Sequence, residues 1–158
     1  MESTKEHADK KLHENRVEAL NDLLQKNYES EQGYKNALTD TNSPRLKTYF
    51  QKQAAQRSQY INELDKAVRD LNAEPAKSGG ATAAIHRTWM DFKTAITGKS
   101  DEAVLEECIR GDKNAVAEYE EVLMDASFPE ETRRTVQYQL NGIKNTLDTI
   151  KRLEDIVD

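Results

Sequence analysis

The sequence predicts an all-α protein, an antiparallel four-helix bundle with a long helical crossover between its second and third helices. Apolar residues recur at spacings of three and four along four long stretches, the period of a helix with one buried face. Only 3 prolines and 6 glycines are present, too few for a chain built from many turns. The breaks that do occur fall as two short turn clusters and one long interruption. With 36% hydrophobic and 33% charged residues, each helix should carry a narrow apolar seam and a solvated charged face.

Residues 1–13 are charged and lack apolar periodicity, so they read as a frayed or disordered lead-in, with residues 14–158 forming a single domain. Val17, Leu20, Leu24, Tyr34 and Leu38 then mark the stripe of the first helix. Asp40, Thr41, Asn42 and Ser43 make a turn, and Ser43 before Pro44 is an N-cap followed by proline at the first helical position. The second helix carries Leu46, Phe50, Ala54, Ile61, Leu64, Val68 and Leu71 inward, and ends at Asn72 before Glu74, Pro75, Ser78, Gly79 and Gly80.

Between about residues 74 and 100 lies the crossover, where Ala81, Ile85, Trp89, Phe92 and Ile96 repeat at helical spacing. Trp89 and Phe92 are expected to cover a side or end of the bundle; the other reading is an exposed aromatic strip that makes a dimer contact. Ser100 caps the third helix, with Asp101 and Glu102 at the positive end of its dipole. That helix runs to about Ala126, with Val104 or Leu105, Cys108, Ala115, Tyr119 and Val122 inward. Pro129, Glu130 and Glu131 open the fourth helix, whose stripe is Val136, Leu140, Ile143, Leu147, Ile150, Leu153 and Val157. Two short links and one long crossover are the connectivity of ferritin-like bundles rather than of simple up-down ones.

Net charge is −6, and no face gathers lysine and arginine with interleaved aromatics, which argues against nucleic acid and against an anionic membrane surface as partners. The one cysteine excludes an internal disulfide. No window has the length and apolarity of a membrane span, and residues 1–11 contain no apolar run of the signal-peptide kind, so the expected location is the cytoplasm.

Chemistry, if present, should sit at mid-bundle, because polar residues interrupt the seams there: Asn27 and Glu31 on the first helix, Gln53 and Arg57 on the second. Two readings follow. In one, Glu31 and Arg57 form a structural ion pair in a polar layer that sets register. In the other, the layer is a ligand site, in which Glu31, Gln53 and Asp112 would be the residues offered to a metal. Ferritin-like di-metal centres need Glu-x-x-His motifs, yet none of His7, His13 and His86 has a glutamate three residues before it. An arginine among would-be ligands also repels a divalent cation. The expectation is therefore no metal, no cofactor and no catalytic residues; triads, phosphate-cradling loops and zinc spacings are absent.

Gly33, Gly111 and Gly142 interrupt helices, each at a cost of roughly 1 kcal/mol relative to alanine. Folding the last two helices together brings Gly111 and Gly142 to about the same height, where they give a close approach, room for a large side chain, or a pocket. Cys108 is expected to be inert packing. Glu106, Glu107, Glu118 and Glu121 read as solvated helix-face charges.

The segments Leu20-Asn21-Asp22-Leu23-Leu24, Glu31-Gln32-Gly33-Tyr34, Ala54-Ala55-Gln56-Arg57, His86-Arg87-Thr88-Trp89, Thr97-Gly98 and Glu107-Cys108-Ile109-Arg110-Gly111-Asp112, in this order, resemble a bacterial family of ferritin-like four-helix bundles filed as a domain of unknown function. The resemblance covers about residues 20–153 and implies a ferritin-like fold and a stress-associated role, with no established activity to transfer. Members often carry histidine before the aspartate of the fourth helix, whereas Thr146 occupies that site in Asn145-Thr146-Leu147-Asp148. The expected function is a non-catalytic, stress-related or protein-interaction module whose partner is another protein or a second copy of the chain. The alternative is a ferritin-like metal-binding oxidoreductase or metal-storage protein; a third reading is an apolar ligand held between the helices near the glycines.

Overall fold

The computed structural model describes residues 3–77, 100–151 and 155. Four helices account for most of them: α1 Thr4–Asp40, α2 Pro44–Asp70, α3 Asp101–Leu123 and α4 Glu130–Thr149. Among the described residues there are no strands. The crossover helix and the packing of Trp89 and Phe92 lie outside the described residues.

The caps explain the boundaries. Ser43 accepts the Leu46 N–H at 3.3 Å with Pro44 in the first turn of α2, and Ser100 accepts the Ala103 N–H at 3.2 Å to start α3. Beyond α2, Asn72 takes a φ of 59°, and the N–H groups of Asn72 and Ala73 reach back to the carbonyls of Arg69 and Val68. A left-handed residue with two backward bonds is how a helix closes its last carbonyls, and asparagine tolerates that region better than most.

Both ends of the expected chain course are corrected. The segment read as a lead-in, residues 1–13, is helical from Thr4 onward because Ser3 and Glu6 form a reciprocal capping box, at 3.1 Å in each direction. Local capping thus starts the helix where no apolar face exists; Thr4 to Asn15 are exposed and extend past the bundle. The expected fourth helix reaching Val157 instead ends at Thr149. Ile150 is extended, with ψ 98°, and its side chain packs against the apolar cluster at that end.

Side-chain registers fix the directions. Asn27 meets Tyr119, and Tyr34 meets Asp112, so advancing along α1 retreats along α3 and the two are antiparallel. Gln139 meets Tyr60 and Glu63 while Glu131 faces Lys66, so α2 and α4 are antiparallel as well. Within each hairpin the short turn forces the same relation. The course is up, down, down, up, and the connection from α2 to α3 joins opposite ends of the bundle. Its near end is held by Asn21, which donates to the Glu74 carbonyl at 3.3 Å and accepts the Ala76 N–H at 2.8 Å.

Among the described residues, two apolar clusters fill the interior. One gathers Leu20, Leu23, Leu24, Tyr60, Ile61, Leu64, Val68, Ala115, Tyr119, Phe128, Val136, Leu140 and Ile143; the other gathers Tyr34, Ala37, Leu46, Tyr49, Phe50, Ala54, Val104, Leu105 and Cys108. Every stripe residue predicted from the sequence and described here is buried or packed against a cluster, because a long amphipathic helix has only one face to bury. Between the clusters lies a polar layer.

Candidate functional site

The middle of α2 places Arg57 in the centre of the bundle, 1% exposed. Burying a guanidinium is expensive unless it is paired. Its partner is Asp112 of α3, 3% exposed, whose Oδ1 lies 2.5 Å from Arg57 Nη2. The Tyr34 hydroxyl of α1 donates to Asp112 Oδ2 at 3.1 Å, and the guanidinium lies 6.0 Å from the centre of the Tyr60 ring. Three helices are thereby tied at one level.

Beside it runs a second polar connection that ties all four. Asn27 donates to the Leu23 carbonyl and to the Tyr119 hydroxyl, both at 2.8 Å. Tyr119 donates to Gln139 Oε1 at 2.7 Å. Gln139 Nε2 donates to the Tyr60 carbonyl at 3.3 Å and to Glu63 Oε1 at 3.0 Å. These hydrogen bonds are directional and join side chains of all four helices, so the layer fixes the register of the helices more strictly than apolar packing would.

The electrostatics follow from burial. Desolvation pushes the Asp112 carboxyl above its ordinary range, opposed by Arg57 and by the hydrogen bonds from Tyr34 and Arg57. The direct contact with the guanidinium favours the charged form of the carboxylate against that desolvation. Burial tends to lower the Arg57 pKa, but Asp112 and the surrounding tyrosines outweigh it and the net shift is upward. Burial, with Asp112 close by, raises the Cys108 thiol well above its ordinary value. Such a thiol is a poor nucleophile at neutral pH.

The predicted layer of Asn27, Glu31, Gln53 and Arg57 is therefore redrawn. Asn27, Gln53 and Arg57 are buried as expected. Glu31 is not the partner of Arg57; it sits half-buried at the edge of the seam and pairs with Lys35 at 3.5 Å. Its ion pair stays on its own helix, whereas Arg57 reaches across the bundle to α3, where burial is deeper. The three residues named for a metal are thus split: Asp112 is held by Arg57, Gln53 is an amide, and Glu31 lies at the margin. Among the described residues, no three His, Cys, Asp or Glu side chains come together in a group that could hold a metal ion.

Tyr34, Tyr119 and Gln139 were missed as members of the layer. The two tyrosines lie on inward stripes and read as apolar bulk; their hydroxyls are what matter. Gln139 follows Val136 by three residues and precedes Ile143 by four, which places it inward, and that spacing was the available signal.

The glycines divide. A Cβ on Gly142 would overlap the Tyr60 hydroxyl, so this glycine makes room for a large neighbouring side chain. Gly33 and Gly111 have no atom within 4 Å of the Cβ position. They line a small recess of about 70 Å³ on the α1–α3 seam, together with Ser30, Tyr34, Glu107, Cys108 and Asp112. Gly111 and Gly142 do not share a contact.

Farther along the same seam is a half-open cleft of about 530 Å³. Leu23, Val122 and Phe128 form its floor, and Asp22, Glu29, Glu118, Glu121 and Asp125 its rim. Lys26 is the cation there, 3.3 Å from Glu118. Partial burial, with Glu18 and Glu118 nearby, raises the Asp22 carboxyl. Arg16 donates to Ser127 at 3.1 Å and fixes α1 against the α3–α4 turn at the end of this cleft.

Residues 15–125 match a protein family described as a domain of unknown function, DUF2383. The match takes in α1 from residue 15, α2 and α3, and so includes both partners of the buried ion pair. No curated protein matches the chain significantly.

Proposed function

Since the chain belongs to the DUF2383 family, to which no activity attaches, we propose from its geometry a non-catalytic, ferritin-like bundle that acts through its surface as a protein-interaction module. One observation carries the reading: the mid-bundle position where ferritin-like proteins gather metal carboxylates is occupied by the Arg57–Asp112–Tyr34 contact. A guanidinium there supplies the positive charge that a cation would otherwise bring. The up-down-down-up course supports the ferritin-like assignment. The stress-associated role rests on the family resemblance alone. Location in the cytoplasm is the reading in keeping with a single cysteine, Cys108, that is buried, and with helices none of which, among the described residues, is long and apolar enough to cross a membrane.

The surface we assign is the α1–α3 cleft. Its rim gathers Asp22, Glu29, Glu118, Glu121 and Asp125 against Lys26, and burial, then Glu18 and Glu118, raises Asp22, so a ligand bearing lysine or arginine beside an apolar contact would complement it. Two copies joined through this cleft would bring like charges together, so a homodimer would use another face.

Elemental analysis of the purified protein tests the first part, with no stoichiometric iron, manganese or zinc expected; about two metals per chain would instead establish the oxidoreductase or storage reading. A nuclear magnetic resonance titration with a lysine-rich amphipathic peptide tests the second. Shifts confined to the cleft residues, and lost in the triple variant Asp22→Asn, Glu118→Gln, Glu121→Gln, support it; shifts elsewhere or none reject it.

A further inference from the structure

Around Arg57 the donors and acceptors do not balance. Nη2 is taken by Asp112, while Nε and Nη1 meet no acceptor although the side chain is almost wholly buried. The same interior holds buried amide oxygens without donors, at Asn27 Oδ1 and Gln53 Oε1. Turning the Asn27 amide to use its oxygen elsewhere would forfeit both bonds made by its nitrogen. Native interiors leave very few such groups bare, and water is the usual remedy.

We infer that the polar layer is a hydration site: buried water accepts from Arg57 Nε and Nη1, donates to Gln53 and Asn27, and enters through the recess between Gly33 and Gly111. The chemistry selects the occupant. An anion could accept from Arg57 but would face Asp112 and the amide oxygens. A cation would satisfy those oxygens but face the guanidinium. A neutral molecule that both donates and accepts meets every group, and water is the smallest.

The recess supplies the route. The glycines leave open space where any other residue would place a Cβ, and the recess reaches Asp112 and Tyr34, the two residues that join the outer seam to Arg57. Its volume of about 70 Å³ accommodates roughly two waters at their liquid density.

The test is a crystal structure at atomic resolution combined with oxygen-17 relaxation dispersion of the full chain in water. Ordered water within hydrogen-bonding distance of Arg57 Nε or Nη1 is expected, with a long-lived relaxation signal from internal water. The variant Gly111→Leu, exposed on α3 and therefore able to fold, should keep the water and lengthen its residence time at least severalfold. A dry layer in which Gln53 Oε1 bonds directly to Arg57 would overturn the inference, and so would density for chloride, a carboxylate or a metal ion at Arg57. An unchanged residence time in Gly111→Leu would overturn the route.

Discussion

Asp112→Asn removes one charge from the centre of the molecule with almost no change in volume. Arg57 is then a buried guanidinium with no countercharge, 1% exposed and held in place by the packed α2. Breaking a buried pair by removing one partner costs about 3–5 kcal/mol. Asparagine still offers an oxygen to Arg57 and to Tyr34, so about 3 kcal/mol is the figure for this variant. For a chain of this size each kcal/mol moves the melting temperature by about 2–4 °C, so a fall of about 6–12 °C is expected by circular dichroism. The complementary variant, Arg57→Met, leaves the carboxylate instead. Burial already raises Asp112 above its ordinary 3.8, and without the guanidinium it rises further. A carboxyl with a raised folded-state pKa binds its proton more tightly when folded, so stability is lost as pH rises above 3.8 toward the folded value. The defect of Arg57→Met should therefore be small near pH 4 and large at pH 7. The double variant Arg57→Met with Asp112→Leu should recover to within about 1 kcal/mol of the parent. Glu31→Gln should cost less than about 0.5 kcal/mol, since its pair with Lys35 is at the margin. If Glu31→Gln proved the more damaging of the two carboxylate changes, the assignment of the buried pair would be refuted.

Gly33→Ala and Gly111→Ala, with open space at Cβ, should each stabilise the fold by up to about 1 kcal/mol in urea unfolding, while Gly142→Ala drives a methyl into the Tyr60 hydroxyl and should destabilise it by about 1–3 kcal/mol. Tyr119→Phe strips a partner from both Asn27 and Gln139 and should cost about 1–3 kcal/mol by the same assay. Burial raises Cys108 from 9.0 and Tyr34, Tyr49, Tyr60 and Tyr119 from 10.0, Tyr60 to about 12. These groups keep their protons longer when folded than when unfolded, so stability should fall as pH rises through 9–10, with phenolate absorbance appearing together with unfolding. Deleting residues 1–10 should lower the helical signal yet leave the melting temperature unchanged within about 2 °C, because Thr4 to Lys10 are exposed and belong to neither apolar cluster.

The amino-acid sequence by itself determined where the bodies of α1 to α4 lie and which faces they bury, though not where α1 begins or α4 ends. Turn residues at Thr41 to Ser43, the Ser100 cap and Asn72 act over a few neighbours, and apolar periodicity acts along one helix, so both are readable without knowing the partner helix. The misreadings at the ends of the chain have the same local origin in reverse. A capping box extended α1 beyond its apolar stripe, and α4 ends at Thr149 with Ile150 extended against the end cluster, while Leu153 and Val157 of the expected stripe lie outside the described residues. Only the tertiary structure decided who pairs with Arg57. Periodicity says that Glu31, Asp112 and Gln139 all approach the interior, but a helix rotation of a few tens of degrees separates a margin from a centre, and that rotation is set by how two hairpins pack together. Asp112, rather than Glu31, meets the guanidinium because α3 places it opposite the middle of α2, where burial is deepest and a charge most needs a partner.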